Sequence, residues 1–135
     1  ADALLGILAQ RLVRTLCTNC KEAYHPTPAE FDEIAESYGP EAFAKLGISY
    51  TDDLMLHRPR GCDVCDKTGY KGRMGIHELL IGSNAIKRLV QRHATVEEMR
   101  EVAAAEGMTT LLQDGIMKSL KGFTDFKQVR RVCIK

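Results

Sequence analysis

Two Cys-x-x-Cys pairs, Cys17 with Cys20 and Cys62 with Cys65, constrain this chain more than any other feature of its sequence. Two residues between cysteines let a tight turn aim both thiolates at one ion, and two such turns complete the tetrahedron that zinc accepts at about 2.3 Å per sulfur. A site closed by four sulfurs has no open position, so the pattern points to one structural zinc rather than a catalytic one. Such a site ties together the ends of the 41-residue segment 21–61 and stabilises a lobe too small to rely on its own core. Disulfides require an oxidising compartment, which nothing else in the sequence supports, and a thioredoxin-like pair requires one Cys-x-x-Cys in a βαβ setting. A zinc deaminase requires Pro-Cys-x-x-Cys with an upstream His-x-Glu; neither pair follows a proline, and no His-x-Glu occurs. Cys133, beside Val132, reads as a small buried residue. The spacing exceeds the roughly 15 to 20 residues of a compact zinc ribbon, so the segment must hold helices of its own.

Local signals place those helices. Thr27-Pro28-Ala29-Glu30 supplies a capping hydroxyl, a proline at the first helical position and a glutamate at the third, ahead of Phe31, Ile34 and Tyr38. That helix should stop at Gly39, with a further turn or two from Pro40 to Leu46 and a short strand at Leu54-Met55-Leu56. Upstream, Leu5, Leu8, Leu12 and Leu16 recur at helical spacing, widened by Leu4, Ile7 and Val13, which predicts a buried helix running into the first cysteine pair. Between Tyr70 and Ile81, Gly72 and Gly75 followed by Ile76, Leu79 and Leu80 predict a turn and then a strand. Beyond it Ser83 and Thr95 cap two helices, the second with Glu98 in a capping box and closed by Gly107. A third carries Leu112, Ile116 and Leu120 and ends at Gly122, and Thr124 starts a last helix with Phe126, Val129 and Val132. The fold expected is mainly helical α+β: an N-terminal helix, a tetracysteine zinc lobe, a short strand pair and a C-terminal helical bundle.

Charge and hydropathy exclude several classes. Nineteen Lys and Arg nearly cancel eighteen Asp and Glu in 135 residues, so no overall field marks the chain for nucleic acid, and a protein partner is favoured. A zinc-ribbon module for nucleic acid remains the alternative, but there is no tryptophan, and Glu30, Asp32, Glu33, Glu36 and Glu41 make the inter-cysteine segment acidic. No apolar run approaches the roughly 18 residues of a membrane span, and the start lacks a signal-peptide layout, so a soluble cytoplasmic protein is expected with no direct membrane insertion. There is no initiator methionine, and Ala1-Asp2-Ala3-Leu4-Leu5 reads as a helix already under way, as in a fragment.

Gly61 to Thr68 falls one residue short of the phosphate-binding Gly-x-x-x-x-Gly-Lys-Thr. Asp66 puts a negative charge where a glycine amide should face phosphate, and Cys62 and Cys65 are committed to metal, so nucleotide binding by this loop is rejected.

Ala9-Gln10-Arg11-Leu12-Val13-Arg14-Thr15-Leu16-Cys17-x-x-Cys20, then Gly61-Cys62-x-x-Cys65 and Thr68-Gly69-Tyr70-Lys71-Gly72-Arg73-Met74-Gly75-Ile76-His77-Glu78-Leu79-Leu80, resemble the C-terminal part of the type II secretion and type IV pilus assembly ATPases. The likeness continues through Glu106-Gly107-Met108-Thr109-Thr110-Leu111 and Gly122-Phe123-Thr124, leaving only about 25–58 without a recognisable motif. The resemblance implies a hexameric parent ATPase in the bacterial cytoplasm, peripheral to the inner membrane through partners, with ATP and Mg2+ handled upstream and not by this fragment. It implies a division into 1–16 at the edge of an ATPase core, 17–65 as the zinc lobe and 66–135 as strands and a helical subdomain. The partners implied are neighbouring ATPase subunits and an inner-membrane platform or cytoplasmic-domain protein. Gln10 and Arg11 fall near the edge of the nucleotide-binding domain, where they could contact nucleotide or a neighbouring subunit, although a local surface pair explains them as well. No catalytic residue is assigned: Arg73 and Glu78 suit a local ion pair, and His77 lacks a nucleophile or open metal site beside it. Lys118, Lys121, Lys127, Arg130, Arg131 and Lys135 give the last helices a local positive excess, suited to solvent or to docking an acidic patch.

Overall fold

The computed structural model describes residues 6–133. Its frame is an antiparallel ribbon in which β1 (Gly6–Leu16) pairs with β4 (Tyr70–Ile81), from Gly6 opposite Ile81 to Arg14 opposite Arg73, with a bulge before Leu16 meets Tyr70. The buried N-terminal helix expected from the leucine spacing is therefore a strand. Val13 and Leu16 are buried at 1% and 3%, whereas Leu8 and Leu12, from the same supposed stripe, are 57% and 51% exposed. A short apolar run fits both periods, and here β-branched residues and a partner strand 54 to 75 positions away decide for extended backbone. Leu4 and Leu5 lie outside the described residues.

β4 differs from expectation in a related way: it is one continuous strand from Tyr70 to Ile81, with no turn at Gly72 or Gly75. Its glycines serve the ribbon. At Gly75 a Cβ would stand 2.9 Å from the His77 imidazole, and Gly72 takes φ +86 beside Thr15 near the bulge. Ile76 is fully buried while His77, Leu79 and Ile81 face out, the alternation of a half-buried strand.

The segment between the cysteine pairs holds β2 (Glu22–Tyr24), α1 (Pro28–Tyr38), α2 (Pro40–Lys45) and β3 (Leu56–Arg58), with β2 and β3 antiparallel. The Thr27 hydroxyl accepts from the Glu30 amide and Gly39 closes α1 at φ +109, as the local sequence dictates. The strand begins at Leu56 rather than Leu54, because Leu56 is the residue that reaches the core. That core joins Ile34, Tyr38, Phe43 and Leu56 to Ile116 of α5 (Leu111–Leu120), and Gln113 of α5 donates to the Tyr38 carbonyl. The inserted segment thus shares its core with the C-terminal helices.

α3 (Asn84–Gln91) and α4 (Val96–Ala105) are capped by Ser83 and Thr95, and α6 (Phe126–Cys133) follows α5. Thr124 precedes α6 without capping it. Its hydroxyl donates to the Arg14 carbonyl, and Asp125 accepts the Gln128 amide instead. Six α-helices and two two-stranded sheets among the described residues make the fold α+β. None of the described helices is long and apolar enough to cross a membrane.

α5 and α6 meet at Gly115, where a Cβ would stand 2.5 Å from Cγ1 of Val129, itself fully buried. Alanine is the better helix former by about 1 kcal/mol, but overpacking costs about 1–3 kcal/mol. Gly115→Ala should therefore lower the melting temperature, and adding Val129→Ala should recover part of the loss; equal or higher stability in Gly115→Ala would show that the contact is loose.

Candidate metal centre

The ribbon positions both cysteine pairs. Cys17 follows the last residue of β1, and its amide donates to the Gly69 carbonyl just ahead of β4, at 2.9 Å. The chain then turns back on itself, with the Lys21 amide bonded to the Cys17 carbonyl, so that Cys17 and Cys20 share one loop. The second loop is a 3₁₀ turn over Asp63–Cys65 that closes when the Lys67 amide reaches the Cys62 carbonyl. Asp66 and Lys67 adopt the left-handed region to complete it, and Gly61 and Gly69 flank it with φ of +104 and +85. Glycine is required at both: a Cβ would stand 2.7 Å from the Lys67 carbonyl oxygen at 61 and 2.4 Å from Pro59 Cβ at 69.

These two loops bring the four predicted ligands together, with all four sulfurs within 4.8 Å of one another. Cys17 and Cys62 are 3.8 Å apart, Cys20 and Cys65 3.8 Å, and Cys62 and Cys65 3.7 Å. A tetrahedron with metal–sulfur bonds of about 2.3 Å has edges of about 3.8 Å, so the donor set fits zinc in number, kind and spacing. The separations far exceed a disulfide bond of about 2.05 Å, and all five cysteines are free.

Hydrogen bonds to sulfur prepare the site for negative charge. The Gly61 amide donates to Cys20 Sγ, the Cys62 and Gly69 amides both donate to Cys65 Sγ, and Asn19 Nδ2 donates to Cys62 Sγ at 3.3 Å. The Asn19 bond is the leading cause of a Cys62 pKa brought down to about 6, helped by backbone amides against the cost of burial. Burial opposes ionisation of Cys65, but the Cys62 and Gly69 amides outweigh it and its pKa is lowered. Cys20 goes the other way, to about 11, because burial and its thiol neighbours outweigh the Gly61 amide. The amides of the phosphate-loop look-alike are thus turned on sulfur. Sequence reasoning missed Asn19 and the two glycines; the only trace of Asn19's role is its place inside the first Cys-x-x-Cys.

The other singled-out residues lie elsewhere. Gln10 and Arg11 are exposed on opposite faces of β1, six or more residues before Cys17 and so about 20 Å away along the strand. Arg11 donates to the Gln10 carbonyl. Glu78 does not pair with Arg73: it accepts the Leu111 amide and lies 3.8 Å from Arg100. The His77 amide donates to Asp114. Of the basic residues, Lys118 pairs with Asp114 and Arg130 with Glu33, leaving Lys121, Lys127 and Arg131 exposed; Lys135 lies outside the described residues. Cys133 stands apart from the quartet, its thiol pushed up by burial.

Over residues 1–131 the sequence matches the family described as type II/IV secretion system protein. The chain belongs to that family. It is 37% identical over 129 residues to the type IV pilus assembly ATPase PilB of Thermus thermophilus, covering 94% of this chain and 13% of that protein. It is 37% identical over 132 residues to the type II secretion system protein E of Pseudomonas aeruginosa and to the type II secretion system ATPase E of Vibrio cholerae, covering 98% of this chain and 24% of each relative. The chain therefore spans only 13–24% of the length of these secretion system relatives.

Within this family member, the sulfur environment orders thiol reactivity, because the thiolate is the nucleophile. In metal-free protein at pH 7, iodoacetamide followed by mass mapping should label Cys62 ahead of Cys20 and Cys133. Labelling that begins at Cys20 would contradict the hydrogen-bond assignment.

Proposed function

We propose that this chain is the zinc-bearing C-terminal part of a hexameric ATPase that powers type II secretion or type IV pilus assembly, and that it acts as a structural and coupling element. The observation that carries this reading is the quartet of sulfurs at tetrahedral spacing within a chain of the secretion family. Cys17, Cys20, Cys62 and Cys65 would hold one Zn2+, whose contribution is a fourfold cross-link and no open position for chemistry. Around it the chain's own residues do the work: Gly61, Gly69 and Asn19 direct donors at the sulfurs, and the paired strands hold the two loops face to face.

In this reading ATP and Mg2+ are bound by the parent protein and not by these residues. Segment 17–65 acts as the zinc-braced lobe, 1–16 lies at the edge of the ATPase core, and 66–135 relays its position. Three backbone and side-chain links support the relay: Leu16 N to the Phe123 carbonyl, Lys21 Nζ to the Gly122 carbonyl, and Thr124 Oγ1 to the Arg14 carbonyl. Gln10 and Arg11, exposed on β1, are available to nucleotide or to a neighbouring subunit. The exposed Lys127 and Arg131 of α6 suit an acidic surface on an inner-membrane platform or cytoplasmic-domain protein at the cytoplasmic face of the inner membrane. Nucleic acid is disfavoured by the net charge of +1 and by the exposed Asp32, Glu36 and Glu41.

Two measurements test the reading. The purified 135-residue chain incubated with ATP and Mg2+ should release no phosphate above a boiled control; sustained turnover would assign chemistry to this region. In a full-length parent carrying these residues, Cys62→Ser should reduce secretion or pilus output by about tenfold or more, in the range of losses seen when metal support is removed. Unchanged output would remove the coupling role.

A further inference from the structure

We propose that Asn19 sets the metal affinity of the four-cysteine centre by donating its side-chain amide to Cys62, and so latches the two cysteine loops together. The inference rests on the zinc reading above. Thr18 and Asn19 are the two residues inside the first Cys-x-x-Cys, and both are exposed, so neither is needed for the core. Yet Asn19 reaches across the centre to a sulfur 43 positions away, with Nδ2 3.3 Å from Cys62 Sγ. The orientation follows from chemistry: turned over, the amide would set its carbonyl oxygen against a thiolate, two electron-rich atoms with no proton between them.

Among the described residues, backbone amides donate to Cys20, to Cys65 and, from Cys65 across the 3₁₀ turn, to Cys62, and Asn19 adds a side-chain N–H on Cys62. A divalent ion with four thiolates carries a net charge of −2, and each donor draws some of that charge off sulfur. The backbone donors are fixed by the turns. Asn19 supplies the only one from a side chain, and on Cys62 it joins the Cys65 amide. It also joins the loop of residues 17–20 directly to that of 62–65, so part of the ordering needed for metal capture is complete before the ion arrives. Residues that hydrogen-bond a ligand commonly change metal affinity by about 10- to 100-fold, and a latch between loops belongs in that range.

The test compares wild type with Asn19→Leu, which keeps the branched shape and loses the donor, and Asn19→Asp, which keeps the shape and adds a negative charge. Zinc dissociation constants are measured by competition with a chromophoric chelator. The expected result is one ion per chain in all three, with affinity about 10- to 100-fold weaker in Asn19→Leu and weaker still in Asn19→Asp. Cobalt(II) supplies a readout that a merely structural role would not move. Losing the N–H raises the energy of the sulfur lone pairs, so the sulfur-to-metal charge-transfer band of Asn19→Leu should shift to longer wavelength while the tetrahedral visible bands persist. Wild-type affinity and an unshifted band in both variants would overturn the inference and leave the zinc reading intact. Failure of wild type to take up zinc or cobalt would overturn both.

Discussion

The antiparallel pairing of β1 with β4 is the interaction on which the rest of the structure depends. It joins residues 54 to 75 positions apart and delivers Cys17 beside Gly69, so the two cysteine loops face each other only because this ribbon exists. The pairing also makes the intervening residues an excursion whose ends are fixed. Closing an excursion of this length costs about 3–4 kcal/mol of chain entropy. Exposed ion pairs such as Arg58 with Glu22 and Lys67 with Asp63 are worth about 0–1 kcal/mol each and cannot offset that cost. A structural zinc held by the four cysteines, at about 10 kcal/mol or more, would offset it several times over. The shared core with Ile116 is the second restraint, and it explains how the insertion is held against α5 as well as pinned at its base.

Much of this was legible in the sequence where the determining signal is local. The capping hydroxyls of Thr27, Ser83 and Thr95 each act within three residues, and the helices they start are where the sequence places them. The cysteine quartet was legible for a different reason: two thiols per turn is a short-range pattern, and tetrahedral coordination supplies the long-range link. β1 was not legible. Its leucine spacing suits a helix, and only the ladder with β4 shows that Leu8 and Leu12 face outward while Val13 faces in. Thr124 illustrates the same limit, since its hydroxyl serves a carbonyl 110 positions earlier and leaves the capping to Asp125. Asn19 was hidden likewise, its role depending on a sulfur in the other loop.

The turn at Gly122-Phe123-Thr124 ties the cysteine end of the ribbon to the C-terminal helices. Leu16 donates to Phe123, Lys21 to Gly122 and Thr124 to Arg14, while Gly122 sits so close to the His57 ring that a Cβ would lie 2.9 Å from its Nδ1. One short turn thus touches β1, the first cysteine loop and β3. A change in the cysteine loops has a direct mechanical route to α5 and α6, which gives the proposed coupling role a physical basis.

The central claim is that four thiolates hold one zinc. X-ray absorption at the zinc edge, with metal content measured on the same sample, tests it most directly. One zinc per chain with four sulfur neighbours at about 2.3 Å is the predicted result. Nitrogen or oxygen neighbours, or metal-free protein whose four cysteines are joined in two disulfides, would contradict it.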